Sequence, residues 1–223
     1  MEVKGLIDSF NFSSNHLESY LTNENYNIQT VKGVGISNKD LWLKTFKKPL
    51  TRNIIEAKIL HTSTGLEIPI KRFSVSQNKQ TLEIAGLQGY NDKSKYLNEL
   101  LNELKEHIQD EVITRLDVAI DFKDKIPIRV IRELKKSRTP FKYANSTYLK
   151  TDKEKKTNYK INILIYPKHI KENLDDEMQR LEFSFKGAYF RGDLKVKDLS
   201  KAYEKMQKSI KRFTGLDVAI KAV

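Results

Sequence analysis

Residues 114–122 constrain the fold more than any other segment, because they alternate between apolar and polar side chains. Their sequence is Thr-Arg-Leu-Asp-Val-Ala-Ile-Asp-Phe. Successive side chains of a β-strand point to opposite faces of the sheet, so the apolar residues from Leu116 to Phe122 share one face and Asp117 and Asp121 share the other. Aspartate is a poor strand former. The pattern therefore predicts a sheet with one buried apolar face and one polar face, on which the two aspartates have a functional or structural role.

The two aspartates lie about 7 Å apart along such a strand, near enough to bind one cation directly or through water. We interpret Asp117 and Asp121 as candidate metal ligands. The alternative is a solvated face on which Arg115 or a neighbouring lysine pairs with them. The chain contains no cysteine. A metal site must therefore use carboxylate, imidazole or water, which favours Mg²⁺ or Mn²⁺, and disulfides and thiolate zinc sites are excluded.

Residues 179–187 repeat the alternation, with leucine and phenylalanine on one face and Arg180, Glu182 and Ser184 on the other. If this strand pairs beside residues 114–122, Glu182 joins Asp117 in a cluster of carboxylates. We therefore interpret Glu182 as a third candidate metal ligand. The alternative is an ordinary amphipathic strand with a surface pair between Arg180 and Glu182.

Residues 159–166 are predicted to form an apolar strand that ends in Tyr166. Proline, Lys168 and His169 follow it. A tyrosine at a strand end is commonly structural, with its hydroxyl at the wet rim. A phenol oxygen can also attack a phosphodiester when neighbouring cations favour the phenolate. Tyr166 and Lys168 are thus candidate catalytic residues.

The rest of the sequence predicts an alternation of strands with a few amphipathic helices. Strands are predicted at residues 3–7, 41–46, 53–60, 66–70, 80–85, 111–122, 141–149, 159–166 and 178–186. Helices are predicted at residues 95–109, 127–138 and 197–213, with a short helical segment at 14–18. No linker or repeat interrupts the chain, so we expect residues 1–223 to form a single domain. The predicted class is α+β, with a central, mostly antiparallel sheet and packed helices.

Positive charge is concentrated in one region of the chain. The formal charge is +12, and residues 123–171 contain fifteen Lys or Arg against four acidic residues. A regional excess favours a polyanionic partner over a general effect on solubility. We interpret seven basic side chains as contacts to a nucleic-acid backbone: Arg129, Arg132, Lys135, Lys136, Lys153, Lys155 and Lys156.

No apolar run reaches the roughly 20 residues that span a bilayer. The N-terminal Met-Glu-Val-Lys does not begin a signal peptide. We therefore expect a cytoplasmic protein with no membrane partner.

Four blocks of sequence, at residues 82–91, 114–122, 162–172 and 180–182, occur in a recognisable order. Taken together they resemble the rolling-circle replication initiators of the filamentous-phage gene II type and the related plasmid and phage replication initiation factor family. The order and rough spacing of the blocks agree over residues 80–190. The resemblance implies a replication-initiator endonuclease-like fold.

The resemblance also implies an activity. Proteins of this kind nick one DNA strand at a replication origin, stay joined to the 5′ phosphate through a tyrosine, and free a 3′ hydroxyl for a polymerase. The family nucleophile corresponds to Tyr166, with Lys168 and Glu172 beside it. Asp117 and Glu182 correspond to acidic positions that would hold Mg²⁺ or Mn²⁺.

Three positions depart from the full family pattern. Asp121 matches only part of the family, Tyr90 stands where the gene II type has a histidine, and Pro167 directly follows the tyrosine. The implied partners are single-stranded or hairpin origin DNA in a bacterial host, together with host replication proteins.

Two other functions fit the sequence. One is a nucleic-acid-binding protein of the same fold that does not cleave. The other is a phage- or plasmid-encoded inhibitor of a host nucleoprotein complex, which would use its positive charge to enter a partner's nucleic-acid groove.

Overall fold

The computed structural model describes residues 2–15, 26–30, 55–61, 67–72, 80–150 and 160–221. The strands are β1 Glu2–Ser14, β2 Tyr26–Thr30, β3 Ile55–His61, β4 Glu67–Arg72, β5 Gln80–Ala85, β6 Val112–Lys123, β7 Thr139–Tyr143, β8 Ser146–Lys150, β9 Ile161–Pro167, β10 Met178–Lys186 and β11 Asp217–Lys221. The α-helices are α1 Asp92–Leu104, α2 Ile128–Ser137, α3 Lys168–Glu172 and α4 Leu199–Thr214.

All eleven described strands belong to one sheet. Ten of them follow one another in the order β2-β3-β4-β5-β1-β6-β10-β9-β8-β7, and β11 pairs with β1 beside this path. Every neighbouring pair along this path is antiparallel, whereas β11 lies parallel to the first part of β1. The predicted α+β class with a mostly antiparallel sheet is therefore confirmed. The three central strands β1, β6 and β10 place both carboxylate-bearing segments in the middle of the sheet.

One face of the sheet carries the hydrophobic core. The apolar residues of β6 and β10 that alternation assigned to one face are buried, and Phe183 and Phe185 are completely enclosed. Helix α4 packs on this face, where the rings of Phe213 and Phe183 lie 6.4 Å apart. Helix α2 packs against α4 and buries Val130 and Leu134. Because the helices cover this face, the polar face of the sheet is left for the candidate site.

Helix α1 begins at Asp92, three residues before the predicted start, because Asn91 caps it. The Asn91 side chain accepts a hydrogen bond from the Ser94 backbone N–H at 3.3 Å. The helix ends at Leu104, and turns occupy residues 105–110 up to the next strand. The apolar spacing that predicted a helix to residue 109 continues through these turns, which bury Ile108. The Ile108 backbone N–H still donates a hydrogen bond to the Leu104 carbonyl at 3.1 Å, although the helix itself has ended.

The prediction of one strand over residues 141–149 is wrong, because the chain reverses there. Tyr143 pairs with Ser146, so β7 and β8 form a hairpin with a two-residue turn. Ala144 adopts a φ of 47° in this turn. A two-residue hairpin turn with a positive φ at its first residue usually has glycine there, and alanine at position 144 therefore concealed the turn in the sequence.

Other predicted boundaries changed as well. Strand β1 extends from the predicted residues 3–7 to Ser14, because Phe10 and Phe12 alternate with polar residues along it. The sequence did not predict β11 or α3. The predicted strand at residues 41–46, and all but Ser14 and Asn15 of the segment at 14–18, lie outside the described residues. Among the described helices, none is long and apolar enough to cross a membrane.

Candidate active site

The predicted carboxylates lie together on the polar face of the sheet. Strand β10 pairs with β6 so that Arg180 is opposite Asp121 and Ser184 is opposite Asp117. Glu182 is opposite Ala119, between the two aspartates of β6. Directly paired residues of neighbouring strands point to the same face. The conditional prediction that Glu182 joins Asp117 on one face is therefore confirmed.

Arg180 is the centre of this face and is 0% exposed. Its Nε and Nη2 donate hydrogen bonds to the two carboxylate oxygens of Asp121 at 2.6 and 2.7 Å. Its Nη2 also donates to the Gln88 carbonyl at 2.9 Å, and its Nη1 lies 3.0 Å from Asp8 Oδ1. Burial by itself would lower the pKa of Arg180, but Asp121 and Asp8 raise it above its usual value. The guanidinium therefore stays charged and holds three strands together at one point.

Asp117 is also paired with an arginine. Arg115 Nε donates to Asp117 Oδ1 at 2.8 Å, and Arg115 Nη2 donates to Oδ2. Arg115 Nη2 also donates to Ser184 Oγ at 3.2 Å on β10. This ion pair is the alternative that the sequence left open for Asp117.

Arginines already occupy the oxygens of both aspartates at the predicted cation site. Both carboxylate oxygens of Asp121 accept hydrogen bonds from Arg180, and both of Asp117 accept hydrogen bonds from Arg115. Over the described ranges, no group of three His, Cys, Asp or Glu side chains is placed to hold a metal ion. Asp117, Asp121 and Glu182 therefore do not fit a three-ligand site in this arrangement. A role for Mg²⁺ or Mn²⁺ stays a prediction.

Tyr166 ends β9 opposite Arg180 and points to the same polar face. It is 5% exposed, and its hydroxyl donates a hydrogen bond to Glu182 Oε2 at 3.2 Å. Burial and the nearby Glu182 carboxylate raise the pKa of the phenol well above its usual value. A phenol next to a carboxylate has the arrangement of a nucleophile and its base.

Glu182 has properties suited to accepting a proton. Its burial, and secondly the negative charges of Asp117 and Asp8, raise its pKa to about 7. A general base works best when its pKa lies near the working pH. Glu182 is thus both within hydrogen-bond reach of the Tyr166 hydroxyl and able to exchange protons near neutrality.

Helix α3 supplies lysines beside this pair. Lys168 is buried, and its Nζ lies 2.7 Å from Glu172 Oε1. Glu172 Oε2 accepts a second hydrogen bond from Asn91 Nδ2 at 2.7 Å, which ties α3 to the start of α1. Lys171, rather than Lys168, lies over the Tyr166 ring, with its Nζ 5.0 Å from the ring centroid.

These elements enclose a cleft of about 410 Å³. Strands β1, β6 and β10 form its floor, and α3 and the start of α1 form its walls. Its ionisable lining residues are Asp8, Lys93, Arg115, Asp117, Lys168, Lys171, Glu172 and Glu182. Gly86 also borders the cleft and has a φ of 91°, a conformation that glycine accepts most easily. A cleft lined by both cations and carboxylates is suited to an anionic substrate that undergoes proton transfer.

The four predicted backbone contacts that the structure describes do not line this cleft. Arg129, Arg132, Lys135 and Lys136 are exposed on α2, which packs on the opposite, helix-covered side of the sheet. Lys136 forms an ion pair with Glu133 at 2.6 Å. Lys153, Lys155 and Lys156 lie outside the described residues. Contact between these seven side chains and nucleic acid stays a prediction.

Three residues of this face were not predicted from the sequence. Asp8 lies beside a register shift in the pairing of β1 with β6, and alternation alone does not show where its side chain goes. Lys171 is brought to Tyr166 because α3 starts directly after β9. Pro167, whose fixed φ suits a helix start, was the available signal. Tyr148 lies on β8 in the row Tyr148, Leu164, Glu182, so it faces the same side as the candidate site.

In the sequence resemblance, Tyr90 corresponds to a histidine of the gene II type. Its hydroxyl donates to Asp121 Oδ2 at 3.0 Å. Burial and the Asp121 carboxylate raise the pKa of the Tyr90 phenol. Here Tyr90 acts as another partner of Asp121, in addition to Arg180.

A pH dependence of stability follows from Glu182. Because its pKa is raised from 4.5 to about 7, the native state holds this proton more tightly than the unfolded chain does. The free energy of unfolding should therefore fall as the pH rises from about 4.5 to about 7, by up to about 3 kcal/mol. Urea unfolding across this range, with a chelator present, measures the fall. Glu182→Gln should flatten it, and an equal slope in both proteins would contradict the assignment.

No protein-family model matches the chain, and no curated protein matches it. The chain is similar to a solved structure described as that of a rolling-circle replication initiator protein from Geobacillus stearothermophilus. The two share 12% sequence identity with a TM-score of 0.46, and the similarity covers 82% of this chain and 74% of that chain.

Proposed function

We propose that this protein nicks single-stranded DNA at a replication origin by using Tyr166 as a nucleophile. The observation that carries the proposal is the 3.2 Å hydrogen bond from the Tyr166 hydroxyl to Glu182, a residue that lines a cleft with cationic side chains. The sequence resemblance over residues 80–190 supports it independently. The regional excess of positive charge supports a DNA substrate.

The proposed reaction is a transesterification. The Tyr166 oxygen bonds to the scissile phosphorus, and the bond from phosphorus to the 3′ oxygen breaks. The phenol proton passes to Glu182, and the leaving 3′ oxygen takes a proton from water. The products are a 5′ phosphotyrosine and a free 3′ hydroxyl. Because one phosphodiester replaces another, the reaction can be reversed to rejoin a strand.

The surrounding residues have separate roles in this proposal. Arg180 acts to lower the pKa of Tyr166, and Lys171 Nζ lies 5.0 Å from the centre of the ring, so these two cations would favour the phenolate that forms as the proton leaves. Lys168 lines the cleft and stabilises the negative charge on the phosphate in the transition state. Arg180 is a positioning residue, because it fixes Asp8 and Asp121 beside the reacting pair.

The experiment that tests the proposal looks for a covalent DNA adduct. The full chain is incubated with a labelled single-stranded oligonucleotide from an origin and Mn²⁺, and then separated on a denaturing gel. The oligonucleotide is labelled at its 3′ end, and we expect a labelled band at the mass of the protein plus the downstream DNA fragment, which carries the 5′ phosphate at the cut. A parallel reaction with a chelator tests the predicted cation. If DNA is bound but neither cut nor attached under any condition, the nicking proposal is wrong.

A second candidate function is DNA binding without cleavage. The burial of Tyr166 favours it, because a phosphate must reach a side chain that is only 5% exposed. The arginine pairs of Asp117 and Asp121 favour it too, because they fill the positions that would hold a cation. This candidate predicts salt-dependent DNA binding with no adduct.

A further inference from the structure

The polar face of the sheet continues beyond the cleft onto the β7–β8 hairpin, where it becomes aromatic. Phe141 pairs with Tyr148, Tyr148 pairs with Leu164, and Leu164 pairs with Glu182. All four therefore lie in one row across the sheet and point to the same face. Tyr143 follows Phe141 by two residues on β7, so it shares that face.

Phe141, Tyr143 and Tyr148, which we call the aromatic platform, are exposed to solvent. Their exposed fractions are 50%, 68% and 38%. Every residue of β7 is exposed, and β7 is an outer strand of the described sheet. Large aromatic side chains grouped together on a surface usually mark a place where a partner binds.

Position and charge identify the partner. Two strand spacings separate β8 from β10, so the platform begins roughly 10 Å from Glu182. The cleft that Glu182 lines also carries Lys168 and Lys171, and Lys160 is exposed directly before β9. Rings next to a cationic groove are the arrangement that binds single-stranded nucleic acid, because bases stack on the rings while lysines contact the phosphates.

We propose that the aromatic platform stacks the bases of a single DNA strand whose phosphate enters the cleft. This inference rests on the proposed function, since it requires DNA in the cleft. A DNA duplex would not fit, because its bases are already stacked on one another and offer no free faces. The platform would thus select single-stranded substrate and fix the direction of the strand across the sheet.

The test compares two strands that differ only in their bases. Fluorescence anisotropy measures binding of an oligothymidylate and of an abasic strand of the same length. We expect wild-type protein to prefer the oligothymidylate, and Phe141→Ala and Tyr143→Ala each to weaken that binding about tenfold. Abasic binding should be unchanged by either variant. Phe141→Tyr should retain the affinity, because it keeps a ring at the same position.

A matched control comes from an exposed apolar residue elsewhere. Ile128 is 69% exposed on α2, on the helix-covered side of the sheet. Ile128→Ala should leave both affinities unchanged, and an equal loss in this variant would contradict a specific platform. Circular dichroism and thermal unfolding of each variant confirm that the fold is retained.

The other outcomes separate this inference from the proposed function. If wild-type protein binds the two strands equally, the platform is wrong while DNA binding stands. If it binds neither strand, the proposed function fails as well. If Phe141→Ala and Tyr143→Ala change only the self-association of the protein, measured by sedimentation, then the platform contacts protein and the inference is wrong.

Discussion

Replacement of Tyr166 by phenylalanine is expected to abolish the covalent DNA adduct while leaving the fold and DNA binding intact. The substitution removes only the hydroxyl that donates to Glu182. The ring stays in its buried position beneath Lys171. The net contribution of one such hydrogen bond to the free energy of unfolding is about 1 kcal/mol, so the variant should remain folded at room temperature. The denaturing-gel assay measures the adduct, and anisotropy measures binding.

Tyr148→Phe is the matched control for this prediction. Tyr148 lies on the same face of the sheet as Tyr166, but it is more exposed and does not contact Glu182 through any described hydrogen bond. The Tyr148→Phe variant should form the adduct at the wild-type rate. An adduct that survives Tyr166→Phe and disappears in Tyr148→Phe would move the nucleophile to β8.

Replacement of Arg180 by alanine is expected to lower the free energy of unfolding by about 3–5 kcal/mol. The guanidinium is fully enclosed and is the shared partner of Asp8 and Asp121. Its removal leaves two carboxylates without their charged partner in a buried place, and breaking a buried ion pair in this way costs that amount. Urea or thermal unfolding measures the loss.

Further variants separate the charge of Arg180 from its size. Arg180→Met with Asp121→Asn should recover part of the lost stability, because the second change removes one orphaned charge. Arg129→Ala, at an exposed position on α2, should change stability by no more than about 0.5 kcal/mol. A loss below about 1 kcal/mol in Arg180→Ala would contradict the central role of this arginine.

Local patterns predicted the two faces of the sheet correctly. Alternation in residues 114–122 and 179–187 was sufficient to place Asp117, Asp121 and Glu182 on one side, because side-chain direction in a strand depends only on position. The same rule assigned the core residues of β6 and β10. The class of the fold followed from the order of these elements.

Non-local contacts could not be predicted in the same way. Asp8 meets Arg180 only because β1 lies beside β6 and β6 lies beside β10, and no local pattern specifies these pairings. From the sequence, Asp117 could bind either a metal cation or Arg115. Only the side-chain positions in the folded protein show that Arg115 is its partner. The hairpin at Ala144 was missed because its backbone conformation is unusual for alanine.

Peptide mapping of the covalent adduct tests the central claim most directly. After the adduct forms, nuclease trims the DNA, and trypsin cuts the protein after lysine and arginine. Tyr166 is the only tyrosine in the resulting peptide of residues 161–168, and Tyr143 and Tyr148 share the peptide of residues 143–150. We predict that mass spectrometry will find the nucleotide on residues 161–168. A nucleotide on residues 143–150, or on any other peptide, would contradict the assignment of Tyr166 as the nucleophile.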